Sequence, residues 1–281
     1  MLMNKSEFKK GVIDYVLQCR CQCGGFCFYR LEEPNGADTY FALAALNFLE
    51  FNFADEKTIV YLQNLQHHDG SYNSIFSAFY SVNGLRLLKK APQFDHSSYI
   101  ISNINQYKFE VHKLPAEVTD AFKRTFYLVS LYNNLKNTVD ETMHESMIKF
   151  ILQFANADHG FGIGRSSLSE TALALNILKQ LNYPLEKLQA DDFILTCATP
   201  TCGFTDMPGT SLSFMAHIHA GLAASSLAGH QLLYPDQCLA FILNCHNKTG
   251  GFSRTTHGGI ATLENTFLAS EALMFLDYRY E

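Results

Sequence analysis

A glycine-aromatic step returns along this chain at a nearly constant interval: Gly25-Phe26, Gly70-Ser71-Tyr72, Gly160-Phe161, Gly203-Phe204 and Gly251-Phe252. The aromatic residues stand 46, 89, 43 and 48 positions apart. Since 89 is two periods of about 45, one degenerate copy lies between Tyr72 and Phe161, and the chain holds six repeats. Each copy has the same layout. Leu17, Leu152, Leu195 and Leu243 precede their Phe by nine residues, and Leu62 precedes Tyr72 by ten. After each loop comes an apolar run at helical spacing, as in Tyr40-Phe41-Ala42-Leu43-Ala44-Ala45-Leu46, Ala172 to Leu178 and Phe267 to Leu273. The unit is helix, Gly-aromatic loop, helix. The glycine lets the chain leave the first helix through a left-handed conformation, and the aromatic plugs the gap between units. One such pair cannot bury its own faces, so the stack runs on as a solenoid with polar caps or closes into a ring. Neither end of this chain reads as a polar cap.

Composition fits one helical body. With 281 residues and 47% hydrophobic content the chain can fill a large core, and seven prolines and seventeen glycines are too few for long linkers, so residues 1–281 are read as a single domain. The start Met1-Leu2-Met3-Asn4-Lys5-Ser6 has no apolar signal core, and no stretch reaches the length of a membrane span, which predicts a cytoplasmic protein without a transmembrane segment. A net charge of −6 with no long basic run argues against a nucleic-acid partner. Cys19, Cys21, Cys23 and Cys27 crowd the first loop in a spacing unlike structural zinc knuckles. Cys202 and Cys245 sit near equivalent loops, so the cysteines read as reduced thiols carried with the unit, ahead of a metal site or disulfides.

Helix, Gly-Gly-Phe, helix units of this length, with a second helix opening Thr39-Tyr40-Phe41-Ala42-Leu43-Ala44-Ala45-Leu46, resemble the repeats shared by protein prenyltransferase β subunits and squalene-hopene-type terpene cyclases. The resemblance spans almost the whole chain, strongest in repeats one, four, five and six. It implies an all-α (α/α)6 toroid in which the helices after the Gly-Phe loops form an inner ring around an apolar funnel for an isoprenoid chain. It also implies a helical protein partner, since such β subunits pair with a helical α subunit.

The chemistry departs from both branches. Prenyltransferase β subunits hold zinc with an Asp and a Cys two residues apart at the fifth inner helix and a His at the sixth. Here Leu212 and Phe214 stand at the first two places and Glu264 or Asn265 at the third, so no metal and no cofactor is expected. In the cyclase branch the proton donor is the middle Asp of Asp-x-Asp-Asp-Thr. The nearest match is Asn35-Gly36-Ala37-Asp38-Thr39, with Ala37 at the donor position and Asp38 reading first as a helix-capping carboxylate. An Asp-Asp-x-x-Asp motif is absent, because Asp191-Asp192 is followed by Leu195 and instead reads as the start of the fifth outer helix.

Projecting the inward positions of the family pattern gives an aromatic cup with few charges. The candidate substrate-binding residues are Tyr40, Tyr80, Arg124, Phe126, Tyr127, Phe214, Met215 and Phe267. The candidate catalytic residues are Asp38, Glu170 and Glu264, because an ionised group inside a ring of apolar helices needs a partner or a polar ligand. Arg124-Thr125-Phe126-Tyr127 resembles the family's Arg-x-x-Tyr helix opening, and Arg124 is expected to face the cavity and hold an anionic ligand end. Glu170 is its alternative salt-bridge partner. His217 and His219 lie two apart on one helix, point to different sides and cannot share a metal. His257 lies in the loop leading to the sixth inner helix, within reach of the rim. Two readings stand: an isoprenoid-related enzyme, terpene cyclase-like or prenyltransferase-like, and a non-catalytic lipid-binding or protein-interaction scaffold.

Overall fold

The computed structural model describes residues 5–107, 115–135 and 141–278, with the side chains of 115–120 outside that description; Met1 to Asn4 of the sequence reading also lie outside it. Twelve helices are described: α1 Lys5–Gln18, α2 Gly36–Phe48, α3 Glu56–Gln63, α4 Ile75–Leu87, α5 Ser97–Tyr107, α6 Pro115–Tyr132, α7 Glu141–Leu152, α8 Leu168–Gln180, α9 Ala190–Cys197, α10 Met215–Ala228, α11 Pro235–Cys245 and α12 Leu263–Phe275. The even-numbered helices form a closed inner ring in the order α2, α4, α6, α8, α10, α12, with α12 packed back on α2. The odd-numbered helices lie outside. The chain is a toroid of six helix pairs, and α5 with α6 is the degenerate copy.

Closure follows from the loop motif. The Gly-aromatic loops press on the next repeat: the loop at Gly24 and Gly25 on Lys57 and Tyr61 of α3, that at Gly70 on Asp95 just ahead of α5, that at Gly160 on Phe193 of α9, that at Gly203 on Cys238 of α11. The last loop, at Gly250 and Gly251, presses on Gly11 and Tyr15 of α1, so the sixth repeat treats the first as its successor. The aromatic residues Phe26, Phe161 and Phe252 are fully buried between units.

Two details of the sequence reading shift by one residue. Gly70 and Gly203 are themselves left-handed, but in the first, fourth and sixth repeats the left-handed residue is the one before the crowded glycine: Gly24, His159 and Gly250 have positive φ, whereas Gly25, Gly160 and Gly251 do not. Those second glycines are needed because a Cβ would strike Tyr61, Phe193 or Tyr15. The core position of the outer helices lies ten residues before the aromatic, one ahead of the recurring leucines. Val16, Leu62, Ile151, Ile194 and Ile242 are all inaccessible there, while Leu195 is exposed. Val16, Leu62 and the three isoleucines fill the buried notch, and Leu17, Leu152 and Leu243 form its half-covered shoulder.

Asp191 and Asp192 occupy the first turn of α9, where carboxylates favour the helix dipole, and Asp192 takes a hydrogen bond from His159 of the preceding loop at 2.8 Å. All eight cysteines are free, with Cys19, Cys21 and Cys27 buried and Cys23 exposed. A two-residue antiparallel pair, Ala198–Thr199 with Gly203–Phe204, shapes the fifth loop.

Candidate functional site

The inner helices start in register. Asn35, Ser74, Ser167 and Thr262 accept, through their side chains, the backbone N–H three residues on, and Phe214 occupies the same place before α10. Four residues past the cap, Thr39, Thr171 and Thr266 each donate to the cap carbonyl and accept the N–H of the buried loop aromatic, Phe26, Phe161 and Phe252. Thr125 is the counterpart in α6. That helix begins earlier than its equivalents, and Thr125 Oγ1 finds no partner among the described residues.

This register sorts the lumen into layers. At the rim stand Ala37, Phe76, Lys123, Ser169, Ala216 and Glu264, one from each inner helix. One turn deeper is an aromatic wall. Tyr40 contacts the rings of Phe79, Tyr80 and Phe267, and Phe79 lies 4.3 Å from Tyr127 and 5.7 Å from Phe126 between centroids. The phenols of Tyr80 and Tyr127 are hydrogen bonded at 2.9 Å. The wall covers α12, α2, α4 and α6. On α8 the equivalent place is Ala172, and on α10 it is His219, so the phenyl and phenol rings are confined to one side of the ring of helices. Deeper still, Asn83, Ser130, Asn176 and Glu271 make a polar layer, with Ser130 donating to Gln180 at 3.0 Å.

Of the expected binding residues, Tyr40, Tyr80, Phe126, Tyr127 and Phe267 come together in this wall. Three do not join it. Met215 is fully buried in the core between inner and outer helices. Phe214 caps α10, with the Arg254 guanidinium 3.7 Å from its ring. Arg124 is exposed and its guanidinium lies over Tyr107 at 4.9 Å, against outer helix α5. The expectation that it faces the cavity is corrected, because the aromatic face of Tyr107 offers the cation a partner outside the ring.

The three expected catalytic carboxylates also separate. Asp38 is buried at the third position of α2 and accepts from Asn35 Nδ2 at 2.9 Å and Phe28 N at 3.3 Å. Burial raises its pKa, and these donors offset part of the rise. Ser167 caps α8 by accepting the Glu170 N–H at 3.2 Å, and its hydroxyl donates to the Glu170 carboxylate at 2.9 Å. Glu264 alone stands exposed on the rim, and its charge reaches the far wall: the pKa of Tyr80 and Tyr127 is raised by burial above all, with Glu264 adding to the rise. His217, which accepts the Phe214 N–H through Nδ1 at 3.3 Å, has its pKa lowered by burial. His257 is exposed in its loop.

The zinc of prenyltransferase β subunits has no fitting donors here. Leu212 is 59% exposed and Phe214 is a hydrocarbon cap. Asn265 donates through its carboxamide to its own cap, Thr262. Among the described residues no three His, Cys, Asp or Glu side chains converge on one point. Sequence reading missed the pair His219 and Glu271, bonded at 2.7 Å across α10 and α12. Its signal was the helical register: His219 falls in the layer of Tyr40 and Phe267, and Glu271 in that of Asn83 and Asn176.

Family and structure comparisons agree with this architecture. The family model of the prenyltransferase alpha-alpha toroid domain matches residues 1–88 and 93–281, and the chain belongs to that family. The structure is similar to Candida albicans protein geranylgeranyltransferase-I complexed with GGPP, at 17% identity and a TM-score of 0.68, covering 96% of this chain and 92% of that one. It is also similar to a protein from Actinoplanes, at 13% identity and a TM-score of 0.54, over 97% and 99% of the two chains. No curated protein matches the chain by sequence. Among the described residues no helix is long and apolar enough to cross a membrane.

Proposed function

We propose that the lumen holds a prenyl chain and that the protein is an isoprenoid-related enzyme of the transferase or cyclase kind. The aromatic wall carries this reading: Tyr40, Phe79, Tyr80, Phe126, Tyr127 and Phe267 meet on neighbouring inner helices opposite the small side chain of Ala172. A methyl-branched, unsaturated chain fits such a surface, and the π faces stabilise positive charge developing on it. The likeness to a protein geranylgeranyltransferase-I complexed with GGPP supports the ligand class. Proton chemistry falls to Glu264, the one of the three carboxylates that is exposed at the rim and electrostatically in reach of Tyr80 and Tyr127. Asp38 and Glu170 hold the starts of their helices.

The test is calorimetric binding of prenyl compounds followed by product analysis. Phe79→Ala should weaken binding about tenfold or more, from the loss of one buried aromatic face. Glu264→Gln should leave binding in place and remove turnover. Wild-type protein that binds no prenyl chain would overturn the reading.

A second reading, a scaffold that docks a helical partner, is favoured by the exposed apolar side chains on loops at the mouth: Tyr29, Leu31, Ile163, Leu212 and Ile260. Charged replacements at Leu212 and Ile260 that abolish a complex while sparing prenyl binding would establish it. The cytoplasm is the proposed compartment for either reading.

A further inference from the structure

His219 and Glu271 sit where the aromatic wall passes into the polar layer. Nε2 of the histidine and Oε2 of the glutamate are 2.7 Å apart, with the side chains 20% and 23% exposed. A carboxylate has no proton to give, so Nε2 carries the hydrogen and the orientation of the ring is fixed. Nδ1 forms no hydrogen bond among the described residues and is not one of the sealed orphan atoms. The ring is flanked by Phe267 and Phe275, each 6.2 Å away between centroids. Phe267 belongs to the wall itself, packed on Tyr40 and stacked on Phe41 at 5.4 Å.

We propose that this pair is a subsite for the oxygen-bearing end of the ligand and that this end is an uncharged hydroxyl, so that the ligand class is an isoprenoid alcohol. The inference rests on the reading of the lumen as a prenyl-chain site. A hydroxyl both donates and accepts, so it bonds to Nδ1 whether the imidazole is neutral or protonated. An anionic head would lie beside the Glu271 carboxylate and be repelled by it, and Arg86 is already bonded to Asn134 at 3.0 Å. The neighbouring polar groups, Asn83 and Asn176, are neutral. A chain laid along the aromatic wall thus reaches the pair with its apolar length covered and its terminus matched.

Farnesol, farnesyl diphosphate and farnesene carry the same fifteen-carbon skeleton with three different ends, and calorimetric titration of the full chain with each separates the terms. The wild type should bind the alcohol more tightly than the diphosphate or the hydrocarbon. His219→Gln keeps a donor for Glu271 and moves the acceptor away from the Nδ1 position. It should weaken farnesol binding about three- to tenfold, as for one hydrogen bond, leaving farnesene binding and the melting temperature unchanged. His219→Phe should give the same loss for farnesol. Equal losses for alcohol and hydrocarbon, unchanged alcohol binding in both variants, or tighter binding of the diphosphate would overturn the subsite while leaving the lumen reading intact. Wild-type protein that binds none of the three would overturn both.

Discussion

Thr39, Thr171 and Thr266 each turn a hydroxyl between a cap carbonyl and the buried N–H of a loop aromatic. Removing that acceptor leaves an amide orphaned in the core, which costs about 1–3 kcal/mol. Thr171→Val should therefore lower stability by that amount in denaturant titration. Thr125→Val should be neutral or stabilising, since its hydroxyl already lacks a partner among the described residues. A shared loss would show that the Thr125 hydroxyl is hydrogen bonded like the other three. At the same scale, Leu212 and Phe214 offer a metal only hydrocarbon, and elemental analysis should find no stoichiometric zinc. One tightly held zinc per chain would place a donor set elsewhere. Most wall aromatics were legible in the sequence because each falls in the opening turns of an inner helix, which the repeat locates. Arg124 was misread because its partner, Tyr107, lies on another helix, and no spacing within α6 reveals it.

Among the helices, the capping pattern carries the registration of the ring. α3 shows it most fully. Its N-cap Asp55 accepts from the backbone and hydroxyl of Thr58 and from the Arg20 guanidinium, whose Nη2 is 2.8 Å away. Burial pushes the Asp55 pKa up, but the Thr58 and Arg20 donors outweigh it and the net shift is downward. A lowered folded pKa means the folded state holds the proton less tightly than the unfolded one. Its contribution is then present above the unfolded value of about 4 and lost as pH falls through the folded value. Asp55→Asn keeps a capping side chain and loses the charge, and should cost about 1 kcal/mol at pH 7. The gap from wild type should close in acid. A gap independent of pH would assign the loss to packing instead. The existence and order of the helices were legible from the repeat, but their core face was not: neighbouring apolar residues at nine and ten before the aromatic compete, and only packing decides between them.

At the scale of the whole molecule, the ring closes where the sixth loop meets the first helix. A Cβ on Gly251 would stand 2.5 Å from the Tyr15 ring, whereas one on Gly11 in α1 would meet nothing within 4 Å. Gly251→Ala should destabilise by about 1–3 kcal/mol through overpacking, with hydrogen-exchange protection lost first in α1 and α12. Gly11→Ala should stabilise by about 0.5–1 kcal/mol by helix propensity alone. Loss of protection spread evenly over all six pairs would show that closure is not the weak seam.

The sequence by itself determined the repeat, its helical content and the need for the units to find neighbours, because a period of about 45 residues with one apolar face per helix leaves no other way to bury that surface. Only the tertiary structure decided which side chains meet across the lumen. His219 and Glu271 are 52 positions apart and look unremarkable in their own helices. They become a pair because ring closure brings α10 and α12 side by side in register. Contacts between elements distant in sequence depend on where each helix starts and how it is rotated, and those are set jointly by caps and packing across the whole ring.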